Sequence, residues 1–328
     1  MPRYPGISSE AFRHPLDLEA EQALRSVPGF DLIARKFMEV MVDNPQLIYN
    51  MGNSIKVGPR QYASLHQLYR ECLQSLDIYP GPTLFVTQTP EVNAYTIGQE
   101  QPSVVVTTGA LDLLSEAELR VVLAHELGHF KCGHSVLTQM GIWAVYAASM
   151  VGQYTLGVSN LFLNSALIGA LYEWKRKAEL SCDRAALLVT DDLDTVLMTL
   201  LKLAGGSGTR SEEISLTEFR RQAQEYRDLD NDGMNQIYKF LLQNNLTQGI
   251  FMSHPFPVER VSFLEEWADS DDYRRIRSGN YAQSPAEGAV DVSNNAAEDQ
   301  AEAERLQREI ERLRQQINQI RDDSSSSV

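Results

Sequence analysis

The chain has 328 residues, of which 43% are hydrophobic, and a formal net charge of −15. This length and apolar content are sufficient for one large domain or two small ones with a buried core. The negative charge argues against a nucleic-acid partner. The three cysteines, Cys72, Cys132 and Cys182, are too few and too widely spaced for a disulfide framework, and they suit a reducing compartment.

The N-terminal part of the chain predicts helices followed by short strands. Residues 1–6 lack the basic and apolar regions of a secretory signal, so we expect a cytoplasmic protein, either free or membrane-associated. Leu18–Tyr49 is predicted to be mainly helical, with a break at Pro28-Gly29, and Tyr62–Leu76 forms another helix. Three predicted strands follow: Pro80–Thr87, Asn93–Ile97 and Val104–Thr108.

An H-E-x-x-H pattern is formed by His125, Glu126 and His129. Ser115 and Glu118 make a capping box that starts a helix just before it, and the apolar residues that follow recur at helical spacing. On this helix the two histidines share a face and can bind one metal ion, while Glu126 can accept a proton from water. The pattern is typical of zinc peptidases. The alternative is that both histidines are ordinary core or surface residues.

A catalytic zinc site also needs a third protein ligand. Cys132 and Ser135 stand where a metzincin would have glycine and histidine, which excludes that arrangement. Glu179 and Asp183 are four residues apart and share a helical face. Glu179 would complete a His-His-Glu set, and Asp183 would accept the second imidazole N–H of a ligand histidine. The alternative is a solvated acidic face beside the basic residues 175–177.

The segment 132–172 contains no acidic residue, lysine or arginine. Its two apolar stretches, Met140–Val151 and Leu161–Tyr172, are each shorter than the roughly 20 residues of a membrane helix. We predict an apolar helical hairpin over residues 135–172, inserted between the two ligand helices. It would pack on the domain or dip into a membrane surface, and a hairpin that spans the membrane twice is the alternative.

The C-terminal part is less informative about chemistry. Asp192–Ala204 predicts a helix, and Asp228–Gly233 an acidic turn, because Lys239 stands where a calcium loop needs glutamate. Residues 271–300 predict a flexible linker. Residues 301–322 predict a short coiled-coil-like helix, followed by a disordered tail over residues 323–328. This helix would pair chains, fold back on the domain or bind a partner, or it is a partly helical, solvated tail.

Together these motifs resemble the HtpX-type and CAAX-prenyl-protease-type gluzincin zinc metallopeptidases, particularly the cyanobacterial and plastid branch. The resemblance implies an α+β, mainly helical fold, with a zincin-like catalytic domain over residues 1–270. A small β-sheet would lie above the H-E-x-x-H helix, and a helical tail would follow. Phe256 separates two prolines that are adjacent in many relatives. The matching segments are Phe12–Asp17, Val92–Gly98, Val104–Leu111, His125–His129, Glu179–Asp183 and Ser253–Pro255.

The resemblance also assigns roles to individual residues. It implies one zinc ion per chain, held by His125, His129 and Glu179. Glu126 would be the general base, and His254 would act on the transition state, although a loop histidine packed beside a proline is the alternative for this position.

Substrate contacts are expected along one strand. Asn93, Ala94 and Tyr95 match the family's NA(F/Y) strand and are the candidate substrate-binding residues. A sheet edge above the zinc helix would let an extended peptide add as an extra strand, although the sequence leaves open which strand is the edge. Arg260 would either pair with an acidic group or lie on the surface.

We therefore expect a zinc-dependent endopeptidase that acts on extended or unfolded protein segments, in protein quality control at or near membranes. The alternatives are a non-catalytic zinc protein that binds extended polypeptides as a chaperone or adaptor, and a specialised prenyl-protein protease. A structural zinc site needs neither a base nor an open position, so Glu126 favours the peptidase. Cys132 and Cys182 would be redox-active, inhibitory or simply inert buried thiols.

Overall fold

Helices make up most of the structure, a computed structural model that describes residues 2–27, 30, 44–98, 101–141, 158–230, 244–245, 250–251 and 255–284. Residues 134–141 are also helical. The helices are α1 (Pro15–Arg25), α2 (Asn44–Asn53), α3 (Ala63–Ser75), α4 (Thr108–Leu113), α5 (Glu116–Lys131), α6 (Val158–Thr190), α7 (Leu193–Gly205), α8 (Leu216–Asp230), α9 (Pro257–Ala268) and α10 (Asp271–Arg277). The strands are β1 (Ile55–Lys56), β2 (Thr83–Thr87), β3 (Ala94–Ile97), β4 (Ser103–Thr107), β5 (Asn244–Asn245) and β6 (Ile250–Phe251).

Four of these strands form one mixed sheet in the order β1-β2-β4-β3. β2 and β4 are parallel, with Leu84 opposite Val104, whereas β3 is antiparallel to β4, with Tyr95 opposite Val105. All five residues of β4 are buried, as expected for a valine-rich central strand. Within the described residues, β1 and β3 are the two edges. The predicted α+β, mainly helical fold with a small sheet is confirmed.

The hydrophobic side chains form two clusters. The larger one fills the space between the sheet and helices α3, α5, α6, α7 and α9, and it includes Phe12 from the N-terminal segment. The smaller one joins α1 to residues 134–141 and to α6. Its members are Leu24, Phe30, Leu137, Leu167, Leu171, Trp174 and Ala178. The N-terminal segment therefore belongs to the same compact unit as the H-E-x-x-H helix.

Helices α5 and α6 pack closely because a glycine lies at their contact. A Cβ atom on Gly128 would lie 3.0 Å from both the Cβ of Ala185 and the Cα of Cys182. This close approach brings the α5 histidines next to the acidic residues of α6. Because Gly128 has no side chain, the two helices can approach closely enough for the histidines to meet the acidic residues.

The described arms of the predicted hairpin are helical. Residues 134–141 form one arm and the start of α6 the other, and Leu137 and Leu171 pack in the smaller cluster. The tip, residues 142–157, lies outside the described residues. Among the helices that the structure describes, none has the length and apolar character needed to cross a membrane.

Several predicted boundaries shift. α1 begins at Pro15 rather than Leu18, because the His14 ring accepts the Leu16 N–H as an N-cap. The strand predicted from Pro80 begins three residues later, as β2. Residues 228–230, predicted as the start of an acidic turn, are helical and end α8, while residues 231–233 lie outside the described part.

The linker does not begin at residue 271 as predicted. Asp271–Arg277 forms α10, in which Tyr273 and Ile276 are buried. The aspartates that suggest a polar linker pair with arginines three residues later, one such pair being Asp271 with Arg274. Ion pairs at this spacing stabilise a helix. The charged residues therefore form α10, although their composition suggests a linker. Residues 285–328, with the coiled-coil-like segment 301–322, lie outside the described residues.

The two ends of the described unit are hydrogen-bonded to each other. Ile7 and Gln283 form an antiparallel bridge, and the Ser8 N–H donates to the Ala282 carbonyl at 2.9 Å. Ile7 itself is fully buried in the larger cluster. The segment that precedes α1 and the segment that follows α10 therefore close the same side of the domain.

Candidate zinc site

The helix that carries both histidines starts where the sequence predicts. The Ser115 hydroxyl accepts the Glu118 N–H at 3.4 Å, while the Glu118 carboxylate accepts the Ser115 N–H at 2.8 Å. Lys202 of α7 donates to the same carboxylate at 2.8 Å. Burial opposes the charge on Glu118, but these hydrogen bonds outweigh it and lower the pKa of this carboxyl. The start of α5 is therefore anchored to a neighbouring helix.

Both histidine rings turn toward Glu179 of α6. The Nε2 atom of His125 lies 3.1 Å from Oε2 of Glu179, and the Nε2 atom of His129 lies 3.2 Å from Oε1. The two ring centroids are 5.1 Å apart, and Glu179 is buried. The three residues predicted as zinc ligands thus lie together, with their donor atoms facing one another.

Asp183, one helical turn beyond Glu179, contacts the other nitrogen of His125. Its Oδ1 atom lies 3.1 Å from His125 Nδ1. Arg260 of α9 donates to both oxygens of Asp183, from Nε to Oδ2 at 2.7 Å and from a second nitrogen to Oδ1. Arg260 is only 7% exposed, so its interpretation as a surface residue is wrong. Arg260 is instead a buried cation that pairs with Asp183.

The charges at this site are strongly coupled. Burial alone would raise the pKa of Asp183, but Arg260 outweighs burial and lowers it. Burial also opposes protonation of His125, yet Glu179 and Asp183 raise the pKa of His125 to about 10 in the metal-free protein. The carboxylates thus favour positive charge beside them. Two imidazoles and one carboxylate form a donor set that is typical of catalytic zinc. The positive charge of a bound zinc ion would replace that of the proton on His125.

A second group of donor atoms includes a cysteine. His125, His129 and Cys182 have donor atoms within 4.8 Å of one another. However, burial raises the pKa of the Cys182 thiol well above its ordinary value, and this thiol lies 3.6 Å from Nδ1 of His134. A metal ligand thiol must be deprotonated, whereas Glu179 already faces both Nε2 atoms. Glu179 is therefore the better third ligand, and Cys182 fits the description of an inert buried thiol.

Glu126 lies against the edge strand of the sheet. The Thr96 hydroxyl of β3 is 2.8 Å from Oε2 of Glu126 and 2.9 Å from its main-chain oxygen. These contacts connect β3 to α5 and hold the carboxylate in place. Sequence reasoning missed Thr96, for which the only signal was its position just after the NA(F/Y) residues.

A cavity of about 560 Å³ is lined by His125, Glu126 and Glu179. Of the three residues predicted to bind substrate, Asn93 and Ala94 line this cavity, whereas Tyr95 is not among its lining residues. His254 lies outside the described residues, although its neighbour Pro255 lines the cavity. The apolar part of the wall includes Leu114, Val121, Val122, Val196, Leu200 and Leu203.

Comparison with known proteins agrees with this geometry. The family described as Peptidase family M48 matches residues 59–268. The chain is 35% identical to the plastoglobule-localized metallopeptidase 48, chloroplastic, of Arabidopsis thaliana, over 83% of this chain and 76% of that protein. It is 26% identical to the protease HtpX homolog of Moorella thermoacetica, over 70% of this chain and 80% of that protein. No solved structure matches the chain.

The family match covers well over half of the chain and includes both histidines, Glu179 and Asp183. The predicted resemblance to HtpX-type enzymes is confirmed by the named relatives. Zinc dependence and proteolytic activity on proteins or peptides follow from the family. The chain belongs to peptidase family M48 and is a zinc metalloprotease.

Proposed function

We propose that this zinc metalloprotease is an endopeptidase that cleaves extended or unfolded segments of proteins. The observation that carries the proposal is the position of β3. It is an edge of the sheet in the described part of the chain, it contacts the H-E-x-x-H helix through Thr96, and Ala94 lines the cavity. A peptide that adds to this edge would bring its backbone past His125 and Glu126.

The hydrogen-bond pattern of β3 supports this binding mode. The Thr107 N–H of β4 donates to the Asn93 carbonyl at 3.1 Å, so the main chain of Asn93 faces the sheet. In an antiparallel pair the main-chain groups alternate in direction, and those of Ala94 and Thr96 therefore face away from β4. A substrate strand would bind these groups. Such binding recognises backbone, which favours broad side-chain tolerance and excludes folded substrates.

The roles of the site residues are part of the proposal. His125, His129 and Glu179 would hold the zinc ion, which when bound supplies Lewis-acid chemistry that acidifies a water molecule and polarises the peptide carbonyl. Glu126 accepts the water proton and later transfers it to the leaving amine. His254, assigned from the family motif alone, donates a hydrogen bond to the substrate oxygen.

The cavity supports a preference next to the scissile bond. Part of its wall is apolar and includes Val122, Leu200 and Leu203, and the same cavity is lined by His125 and Glu126. A bulky apolar substrate side chain would bury surface there, whereas a charged one would lose its hydration. We expect peptides with leucine or phenylalanine at this position to have at least about 10-fold higher kcat/KM than peptides with aspartate.

The biological role that we propose is protein quality control at or near a membrane or lipid surface. Its support is the name of the Arabidopsis relative, which is plastoglobule-localized, and the names of the HtpX relatives. Contact with a membrane surface through residues 135–172 and self-association through residues 301–322 stay predictions. Residues 142–157 and 301–322 lie outside the described part of the structure.

The proposed activity is tested with the wild type and Glu126→Gln, purified side by side. Zinc content is measured first, then cleavage of unfolded casein and of an internally quenched peptide with both ends blocked. We expect stoichiometric zinc in both proteins and cleavage by the wild type alone. Cleavage restricted to peptides with free ends would identify an exopeptidase, and equal cleavage by Glu126→Gln would refute the role of Glu126.

Backbone recognition is tested with N-methylated peptides. A methyl group on the amide that would pair with β3 should abolish cleavage, whereas the same group two residues beyond the bound segment should not. Equal cleavage of both peptides would exclude strand addition, even if the protease activity itself were established.

A further inference from the structure

The second nitrogen of His129 begins a chain of buried polar contacts that leads away from the proposed zinc site. Its Nδ1 atom lies 3.2 Å from Nδ1 of His134, and Nε2 of His134 lies 3.0 Å from Oδ2 of Asp17. His134 is 1% exposed and Asp17 is fully buried. Three separate parts of the chain, α5, residues 134–141 and α1, thus contribute one side chain each.

The arrangement of protons follows from the chemistry of these groups. A histidine that binds a metal through Nε2 carries its proton on Nδ1. The Nδ1–H of His129 can then donate to Nδ1 of His134, which must carry its own proton on Nε2, where Asp17 accepts it. The Cys182 thiol also lies 3.6 Å from Nδ1 of His134, but a thiol is a weak donor compared with an imidazole N–H.

Asp17 is itself held rigidly. It accepts hydrogen bonds from Nε1 of Trp174 at 3.1 Å, from the Ser181 hydroxyl at 2.6 Å and from Nε of Arg13 at 3.0 Å. Trp174 and Ser181 are fully buried and belong to α6, the helix that carries Glu179. A carboxylate that is fixed in this way can fix the orientation of His134, and through it the ring of His129.

We propose that His134 and Asp17 are positioning residues that orient His129 for zinc, an inference that rests on the proposed ligand role of His129. Hydrogen-bonded partners of this kind set the tautomer, the ring angle and the basicity of metal ligands. Asp17 lies outside the residues 59–268 that match the family, so the N-terminal segment would complete the metal site. The N-terminal segment would then contribute to zinc binding as well as to the fold.

The test measures zinc affinity by competition with a chromophoric chelator, together with the unfolding midpoint of each metal-free protein. His134→Phe should weaken zinc binding about 10- to 100-fold, and His134→Gln, whose amide can accept and donate, should retain most of the affinity. Leu24→Ala is the matched control, because it removes a fully buried side chain of α1 from the smaller hydrophobic cluster and leaves the polar contacts of Asp17 and His134 in place. It should reduce stability with little effect on zinc affinity.

A double-mutant cycle adds a second criterion. Asp17→Asn and His134→Phe interrupt one chain of contacts, so the double variant should bind zinc no more weakly than His134→Phe alone. Wild-type affinity in His134→Phe would overturn the inference. So would equal loss of affinity in Leu24→Ala at a matched loss of stability, since the effect would then come from the fold.

A third variant separates this inference from the proposed function. If His129→Ala binds zinc as tightly as the wild type, the ligand assignment fails, and the inference fails with it. If His129→Ala loses zinc while His134→Phe keeps it, only the positioning role is excluded.

Discussion

The carboxylates around His125 are each held by a donor from a different part of the chain. Arg260 binds Asp183 from α9, and Thr96 contacts Glu126 from β3. A buried carboxylate without such a partner would cost several kcal/mol. These contacts therefore fix the side chains in the metal-free protein, so that little reorganisation is needed when zinc and substrate bind.

Thr96 offers a test at the scale of one residue. Thr96→Val removes the hydroxyl near Oε2 of Glu126 but keeps the side-chain shape. Because a hydrogen bond to a charged group contributes about 1.5–3 kcal/mol, we expect kcat to fall about 10-fold or more with zinc content unchanged. Steady-state kinetics on a quenched peptide measure this, and Thr96→Ser should restore most of the activity. Unchanged kcat in Thr96→Val would exclude an orienting role.

The site residues that the sequence predicts are those that a single helix or a familiar spacing brings together. His125 and His129 share a helical face, and Glu179 and Asp183 share another. The role of Thr96 could not be predicted, and pairing of Arg260 with an acidic group was only one of two alternatives. These residues lie 30 and 77 positions from Glu126 and Asp183, which they contact. Threonine and arginine also have many other uses, so their type alone does not indicate a role.

The packing of α5 against α6 determines whether the two histidines meet Glu179 and Asp183. Gly128→Ala gains helix propensity of about 1 kcal/mol but places a methyl group 3.0 Å from Ala185 and Cys182. α6 must then move by a few tenths of an ångström, and Glu179 moves with it. We expect zinc affinity to fall about 10-fold, since each tenfold step corresponds to only 1.4 kcal/mol.

The matched control for this prediction is Gly169→Ala in the facing helix α6, where an added Cβ atom has no neighbour within 4 Å. This variant should bind zinc as the wild type does and be slightly more stable. Zinc titration of both variants gives the comparison. Wild-type affinity in Gly128→Ala would show that close helix packing does not hold Glu179 in place.

The N-cap of α1 predicts a pH dependence of stability. Burial, and then the charges of Arg184 and Lys177, lower the pKa of His14 to about 4, and its neutral Nδ1 accepts the Leu16 N–H. Because the folded-state pKa is below the unfolded value of about 6.5, the unfolded chain binds the proton more readily. The stability contributed by His14 is therefore complete above pH ~6.5 and decreases as the pH falls toward 4.

His14→Asn tests this, because asparagine is a good N-cap that does not titrate. Urea unfolding of the wild type and the variant between pH 7 and 4 should show wild-type stability falling by about 2 kcal/mol more than that of the variant. Comparison of the two proteins cancels the titration of the other histidines. Parallel pH profiles would contradict the prediction.

For the whole molecule, zinc should stabilise the fold as well as support catalysis. The proposed ligands lie on α5 and α6, so bound zinc would link two central helices. A ligand at a thousandfold excess over its Kd adds about 4 kcal/mol of stability, or about 10 °C in Tm for a unit of this size. Calorimetry before and after chelation measures this difference. His129→Ala should show no such shift, and an unchanged Tm in the wild type would argue against zinc at this position.

The global fold was predictable where local patterns dominate. The run of valines in β4 and the capping box at Ser115 each specify an element by themselves. The region after residue 271 was not predictable in this way. Tyr273 is buried and donates to Asp191 at 3.0 Å, a contact 82 positions away that turns a polar, linker-like sequence into a packed helix.

The pairing of the two ends of the described unit has a consequence for the order of folding. Tyr281 donates to the Pro5 carbonyl across 276 positions, and Gln283 bridges Ile7. Contacts of such high sequence separation form late, because the whole intervening chain must first be ordered. During synthesis, residues 5–8 must wait for residues 281–284 before these contacts can form. The segment that precedes Asp17 would therefore reach its final position only after α10 has been synthesised, and Asp183 of the site must likewise wait for Arg260 of α9.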